Sequence, residues 1–113
     1  MSMEDTLIIK ITDISKGDTL TDRACGNWDM TLSRAQQSKR AIVIRHGIIL
    51  NVYKIKSAME TDEPAKITKA NNRVRLQLEE CSDFSYLIGK TYKTATQNPV
   101  TSISIDDLLN KIQ

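Results

Sequence analysis

Hydrophobic residues fall in short runs along the chain, and most of the runs alternate with polar positions. From Thr6 to Asp13, Leu7, Ile9 and Ile11 point one way while Lys10 and Thr12 point the other, the period of a strand with one buried face. Ser15-Lys16-Gly17-Asp18 is turn chemistry and ends it. Thr19 or Thr21 is placed to cap a short helix through Arg23 and Ala24, with Asp22 in the first turn and Gly26 as a closing C′ glycine. Thr31 offers an N-cap to a second helix, Leu32 to about Lys39. Ala41 to Ile44 is wholly apolar and predicts a central strand; Arg45-His46-Gly47 makes a tight turn.

Ile48 to Ile55 is apolar on both faces, which points to a strand in a closed or strongly curved sheet. Lys56 to Asn71 is polar with Thr-Asp-Glu-Pro at its centre, and predicts the longest exposed loop. Asn72 to Glu80 alternates again, with Val74, Leu76 and Leu78 inward. Ser82 begins a short helical turn through Leu87, stopped by Gly89. Pro99 holds Asn98 extended, Val100 to Ile103 is a last strand, and Ser104 starts a terminal helix, Asp106 to Ile112. The expected class is α+β: a small curled five-stranded sheet, or a small β-barrel, with short flanking helices. Leu7, Ile9, Ile11, Ile42, Ile44, Val52, Val74, Leu76 and Leu78 are expected to form one core.

Length and composition narrow this. The 113 residues, 40% hydrophobic and 27% charged, are read as one folded domain, residues 1–113. No apolar run approaches the roughly 18 residues of a membrane span, so no membrane partner is expected. The opening Met1-Ser2-Met3-Glu4-Asp5 lacks the features of a signal peptide, which makes the cytoplasm the default location. Cys25 and Cys81 lie far apart without CxxC spacing and read as separate thiols.

Charge changes the picture more. Residues 1–31 carry three Lys/Arg against six Asp/Glu, residues 32–59 six against none, and residues 60–113 seven against eight. The middle block is a candidate anion-facing surface; the alternative is a solvated face balanced by the acidic first third.

No P-loop, GxGxxG or HExxH is present, and the lone His46 has no histidine partner for a metal site. Cys25 with His46 and an aspartate would make a nucleophilic set, a rare constellation in so small a domain. The expectation is a non-enzymatic protein without cofactor or metal. Trp28 in its loop would stack a base, or else fill the core. Arg34 would fork onto a phosphate, or else pair with Asp29 or Asp22. Arg45, in the same basic block, joins the candidate ligand-binding set. Gln97 and Asn98 would present amides to a base edge, or else Asn98 fixes the turn before the last strand.

Several of these residues form an ordered pattern: Leu20, Gly26-Asn27-Trp28, Arg34-Ala35, Gly47-Ile48, Val52-Tyr53-Lys54-Ile55, Leu87-Ile88-Gly89-Lys90 and Gln97-Asn98-Pro99-Val100. From Leu7 to Ile103 the chain resembles a poorly characterised family of small prokaryotic domains with the pattern Gly-x-Trp, Arg-Ala, Val-Tyr-x-Ile and Gln-Asn-Pro-Ile/Val. That family looks like part of the PUA-like group of small β-barrels, which often bind RNA or modified bases. Cys25 and Asp29 stand where the resemblance would place basic residues, which implies loss of part of a phosphate contact and a specialised relative, from a phage or a defence locus. The resemblance implies a binding module for nucleic acid or a modified base or nucleotide. A sequestering binder of a small nucleotide signal stays open, as does a protein-interaction or structural domain that forms a homodimer through the Val100 to Ile103 edge.

Overall fold

The computed structural model describes residues 5–11, 17, 19–64, 72–92 and 100–112. Five strands form one sheet: β1 (Thr6–Lys10), β2 (Arg40–Arg45), β3 (Ile48–Pro64), β4 (Asn72–Glu80) and β5 (Val100–Ile103), in spatial order β4-β3-β2-β1-β5. β1 and β2 run parallel and every other neighbouring pair is antiparallel. The sheet is mixed and not closed into a barrel, so the expected class is met by the open form. β5 is an edge strand, as its brevity predicts.

The parallel β1–β2 pair needs a crossover, supplied by α1 (Leu20–Cys25) and α2 (Leu32–Gln37). These helices are too short to stand alone, and side-chain caps define where they start. The Thr19 hydroxyl accepts from the Asp22 N–H at 3.1 Å and the Thr31 hydroxyl from the Arg34 N–H at 3.4 Å. Ser104 does the same for Asp107 at 3.2 Å at the start of α3 (Ile105–Lys111). Gly26 does end α1, but at φ −64 rather than in the left-handed conformation of a C′ glycine. A kinked 3-10 segment, Ser82–Leu87, follows β4.

The nine residues expected to form one core are all buried, but the sheet divides them. Leu7, Ile9, Ile11, Val74, Leu76 and Leu78 pack with Trp28 and Ala35 under α1 and α2. Ile42, Ile44 and Val52 pack with Leu87 and Leu108 under the 3-10 segment and α3. Alternation on β1 and β2 hides this, because both strands are central and bury both faces; Ile8 is as buried as Leu7.

β3 departs furthest from the expected pattern. Residues 56–64, read as loop, continue the strand and pair with β4 as far as Pro64↔Asn72. Three irregularities scramble its period, the last of them between the Glu60↔Val74 and Pro64↔Asn72 pairs. Leu50 is an extra residue between the Ile44↔Ile49 and Val43↔Asn51 pairs, and Lys56 another between Ile55↔Leu78 and Ser57↔Gln77. Each extra residue moves the following side chains to the other face. Hence Ile49 and Val52 share one core layer, while Leu50, Tyr53, Ile55 and Ala58 share the other.

β2 and β3 are joined by a two-residue turn in which His46 has φ 51 and Gly47 φ 79, the pattern of a type I′ hairpin. Gly47→Ala places a Cβ in left-handed backbone and is expected to lower stability by about 1 kcal/mol. An unchanged urea midpoint would show the turn to be free of that constraint.

Candidate functional site

Of the candidate ligand-binding residues, Trp28, Arg34 and Arg45 lie within the described part of the chain. Trp28 is 5% exposed, within the layer under α1 and α2. Its backbone exchanges both hydrogen bonds with Val74 at 2.8 Å, and its indole N–H donates to the Ala24 carbonyl at 2.7 Å. The Arg23 guanidinium stands 5.0 Å over its ring. The core-filling alternative describes this placement. Arg34 donates from Nε to the Ser102 hydroxyl at 2.5 Å. Trp28 is therefore bonded to β4 and Arg34 to β5, while Ala35, next to Arg34, shares the core layer of Trp28. Arg45 is half-buried at the end of β2, beside the turn. Gln97 and Asn98 lie outside the described residues. Cys25 is buried at the end of α1, and His46 is exposed in the turn. Both cysteines are free thiols.

Other members of the basic block do come together. The β2–β3 register sets Arg40 directly opposite Lys54, with Lys39 next to Arg40 in the chain. Like charges directly opposed repel across a sheet pair, but Asp5 pairs with Arg40 and Glu79 stands opposite Lys54 on β4. A cavity of about 280 Å³ opens here, walled by Lys39, Arg40, Lys54, Cys81, Asp83 and Phe84. Lys39 and Lys54 are exposed; Cys81 and Phe84 are half-buried.

Arg40 is the fixed cation of the group. Its Nη1 lies 3.2 Å from the Asp5 carboxylate and donates to the Thr6 hydroxyl at 3.3 Å. The Asp5 backbone carbonyl accepts from both the Lys39 and Arg40 N–H groups. The Arg40 guanidinium sits 5.0 Å over the Phe84 ring, a cation–π contact across the cavity floor. Asp5 also accepts from the Ile105 N–H at 3.2 Å, tying the first turn of α3 to the same carboxylate. Burial pulls the Asp5 carboxyl upward, but the Ile105 N–H, the Arg40 charge and hydrogen bond and the Thr6 hydroxyl outweigh it. The group is held below its ordinary value of 3.8. On the other side of Lys54, the β3–β4 register supplies Glu79, whose carboxylate lies 3.9 Å from the Lys56 ammonium.

A second cavity, of about 530 Å³, lies on the other side of Cys81. Leu50, Asn51, Glu80, Ser82, Ser85 and Ile88 line it with Cys81. It exists because the chain leaves the β3 edge and comes back. Cys81 donates its N–H to Val52, the 3-10 segment swings away, and Gly89 returns to donate to Ile49 at 2.8 Å. The β3 edge at Leu50 and Asn51 is left uncovered between them.

The basic block was legible in the sequence as a concentration of charge, whereas Phe84 carried no signal of its own. Among the described residues no three His, Cys, Asp or Glu side chains gather as a metal site, and no helix is long and apolar enough to cross a membrane. Comparison with protein-family models, with curated proteins and with solved structures finds no match to this chain.

Proposed function

We propose that this domain is a non-enzymatic binding module for a phosphate-bearing nucleotide, held at the cavity between Lys39, Arg40, Lys54 and Phe84. The ligand is either free in solution or part of a nucleic-acid strand. The observation that carries this is the Arg40–Lys54 pair. Two cations stand directly opposed across the sheet with a third beside them, and an incoming anion would offset the part of their repulsion that Asp5 and Glu79 leave. Arg40 offers a guanidinium already held by Asp5 and Phe84, so little of its freedom is lost on binding. Lys39 and Lys54 contribute ammonium groups on long stems. The PUA-like resemblance of the sequence supports the same ligand class, with the contacts shifted from Trp28 and Arg34 to this cavity. Asp83 on its wall disfavours bare polyanions and tempers affinity.

Lys39→Glu and Lys54→Glu test this cleanly, because both side chains are exposed and their replacement leaves folding within about 0.5 kcal/mol. Each is expected to weaken binding of a nucleoside monophosphate and of a labelled single-stranded oligonucleotide by about tenfold, some 1.4 kcal/mol. For the oligonucleotide the dependence of affinity on KCl should also flatten, since each lost phosphate contact releases fewer counterions. Arg34→Glu, on the other side of the sheet, should change neither. Tighter binding of the oligonucleotide than of the monophosphate assigns the strand as ligand; the reverse assigns the free nucleotide. Wild-type binding by both lysine variants would sink the proposal.

A further inference from the structure

We infer that the ligand of the basic cavity is a single-stranded nucleic acid, and that Tyr86 is the platform on which one of its bases stacks. This rests on the basic-cavity reading above. It chooses the strand over the free nucleotide and adds a residue beyond the cavity wall. Three observations carry it.

The first is where folding leaves the aromatic rings. The chain has five. Trp28, Tyr53 and Tyr92 are buried in the two core layers. Phe84 is half-buried and Tyr86 is 59% exposed. A single exposed ring is ordinary on a protein surface. Here the two rings that the core does not take are neighbours, with centroids 6.3 Å apart, and one of them walls the cationic cavity. A 3-10 helix has about three residues per turn, which points residues two apart in different directions. The segment breaks at Phe84, with φ −120 and ψ 19, and the two rings come together.

The second is distance. The Arg40 guanidinium stands 5.0 Å over Phe84, and the Tyr86 ring lies 6.3 Å from Phe84. Tyr86 is thus no farther from the guanidinium than those two steps laid end to end. A phosphate on Arg40, followed by its sugar, carries a base across that gap and against the ring. Arg40 already occupies one face of Phe84, so Tyr86 is the ring with surface to offer.

The third is the supply of cations. Lys39, Arg40 and Lys54 wall the cavity, and Lys56 follows on β3. The Lys56 ammonium lies 3.9 Å from Glu79 in an exposed pair, which costs little to open. One terminal phosphate cannot meet all four, whereas a strand brings a phosphate with every nucleotide. A ring open over more than half its surface covers one face of a base and encloses nothing. Such a platform suits a base held on both sides by its own backbone, and it accepts any base.

The experiment uses the full chain with a labelled oligothymidylate of about ten nucleotides, an abasic strand of the same length, and thymidine monophosphate. Affinity is read by fluorescence anisotropy, with the mononucleotide as competitor. Wild type is expected to bind the oligothymidylate about tenfold tighter than either other probe. Tyr86→Ala, at an exposed position, should lose about tenfold on the oligothymidylate and nothing on the abasic strand. Its dependence on KCl should match wild type, because no phosphate contact is removed. Tyr86→Phe should bind as wild type does, since stacking needs the ring and not the hydroxyl. In Tyr86→Trp the new indole should be quenched by the oligothymidylate and not by the abasic strand; Trp28 is buried, and wild type gives its background. Wild-type affinity in Tyr86→Ala, with unmoved emission in Tyr86→Trp, overturns the platform; if Lys54→Glu still weakens the strand, the basic cavity stands. Equal loss on both strands in Tyr86→Ala traces to a disturbed cavity and also overturns the platform. Thymidine monophosphate binding as tightly as the oligothymidylate overturns the strand as ligand. No binding of any of the three probes overturns both proposals together.

Discussion

Trp28→Ala is expected to destabilise the domain by about 3–5 kcal/mol, the cost of deleting a buried aromatic side chain and leaving a cavity. The ring is 5% exposed and packs with Ala24, Cys25 and Val74 in the layer under α1 and α2. Its backbone also closes the β4 edge at Val74, so the residue joins the crossover to the sheet twice, by main chain and by side chain. Trp28→Phe separates two parts of the cost. It retains most of the volume but leaves the Ala24 carbonyl without its indole donor, and is expected to cost about 1–3 kcal/mol. Urea unfolding followed by far-ultraviolet circular dichroism reads both. Nucleotide binding by whatever folded protein remains should match wild type, because the cavity holding Arg40 is on the other face. A Trp28→Ala protein of wild-type stability that has lost its ligand would restore Trp28 to the site and displace the basic cavity.

Several elements can be read directly from the chain, for local reasons. Thr19, Thr31 and Ser104 cap the three helices through hydrogen bonds to residues three positions on, so the signal and the structure occupy the same few residues. β4 shows its period because only one of its faces is buried: Val74, Leu76 and Leu78 go in, and Arg75, Gln77 and Glu79 stay out. β3 is illegible beyond Ile55 for the opposite reason. Its distal half pairs only with β4, so most side chains from Lys56 to Pro64 meet water, and the extra residue at Lys56 breaks what alternation is left. The site was hidden by the same device. A two-residue turn at His46-Gly47 without a bulge would set Arg40 opposite Tyr53. The extra residue at Leu50 sets it opposite Lys54 instead and brings two cations together. No local pattern in the sequence announces that shift. Trp28 and Arg34 lie six residues apart in the chain, yet Trp28 bonds to Val74 of β4 and Arg34 to Ser102 of β5.

Asp5→Asn is expected to lower stability near neutral pH by roughly 2–4 kcal/mol, between the loss of a charged hydrogen bond and the breaking of a buried ion pair. The carboxylate and Arg40 are 18% and 17% exposed at their side chains, so water screens the pair only in part. Asparagine keeps an oxygen for the Ile105 and Thr6 donors but sets an amide donor against Arg40, so the charge and the acceptor facing the guanidinium are both lost. The pH dependence identifies the cause. Asp5 is held below its ordinary value of 3.8 in the folded protein, so the unfolded chain binds the proton more readily. Its contribution is therefore complete at pH values above the unfolded carboxylate pKa, and is lost as the pH falls through that value towards the lower folded one. Wild-type stability should fall on acidification through this window, and the Asp5→Asn profile should be flatter there, the two curves approaching each other at the acid end. Parallel curves would mean that the charge on Asp5 does not contribute. The same variant reads out the site. Arg40 freed from Asp5 loses its fixed position over Phe84 but gains net positive charge, so the phosphate affinity of Asp5→Asn measures whether placement or charge dominates. Weaker binding with a steeper dependence on KCl is the expected outcome, since a mobile cation contributes through long-range attraction and less through a formed contact.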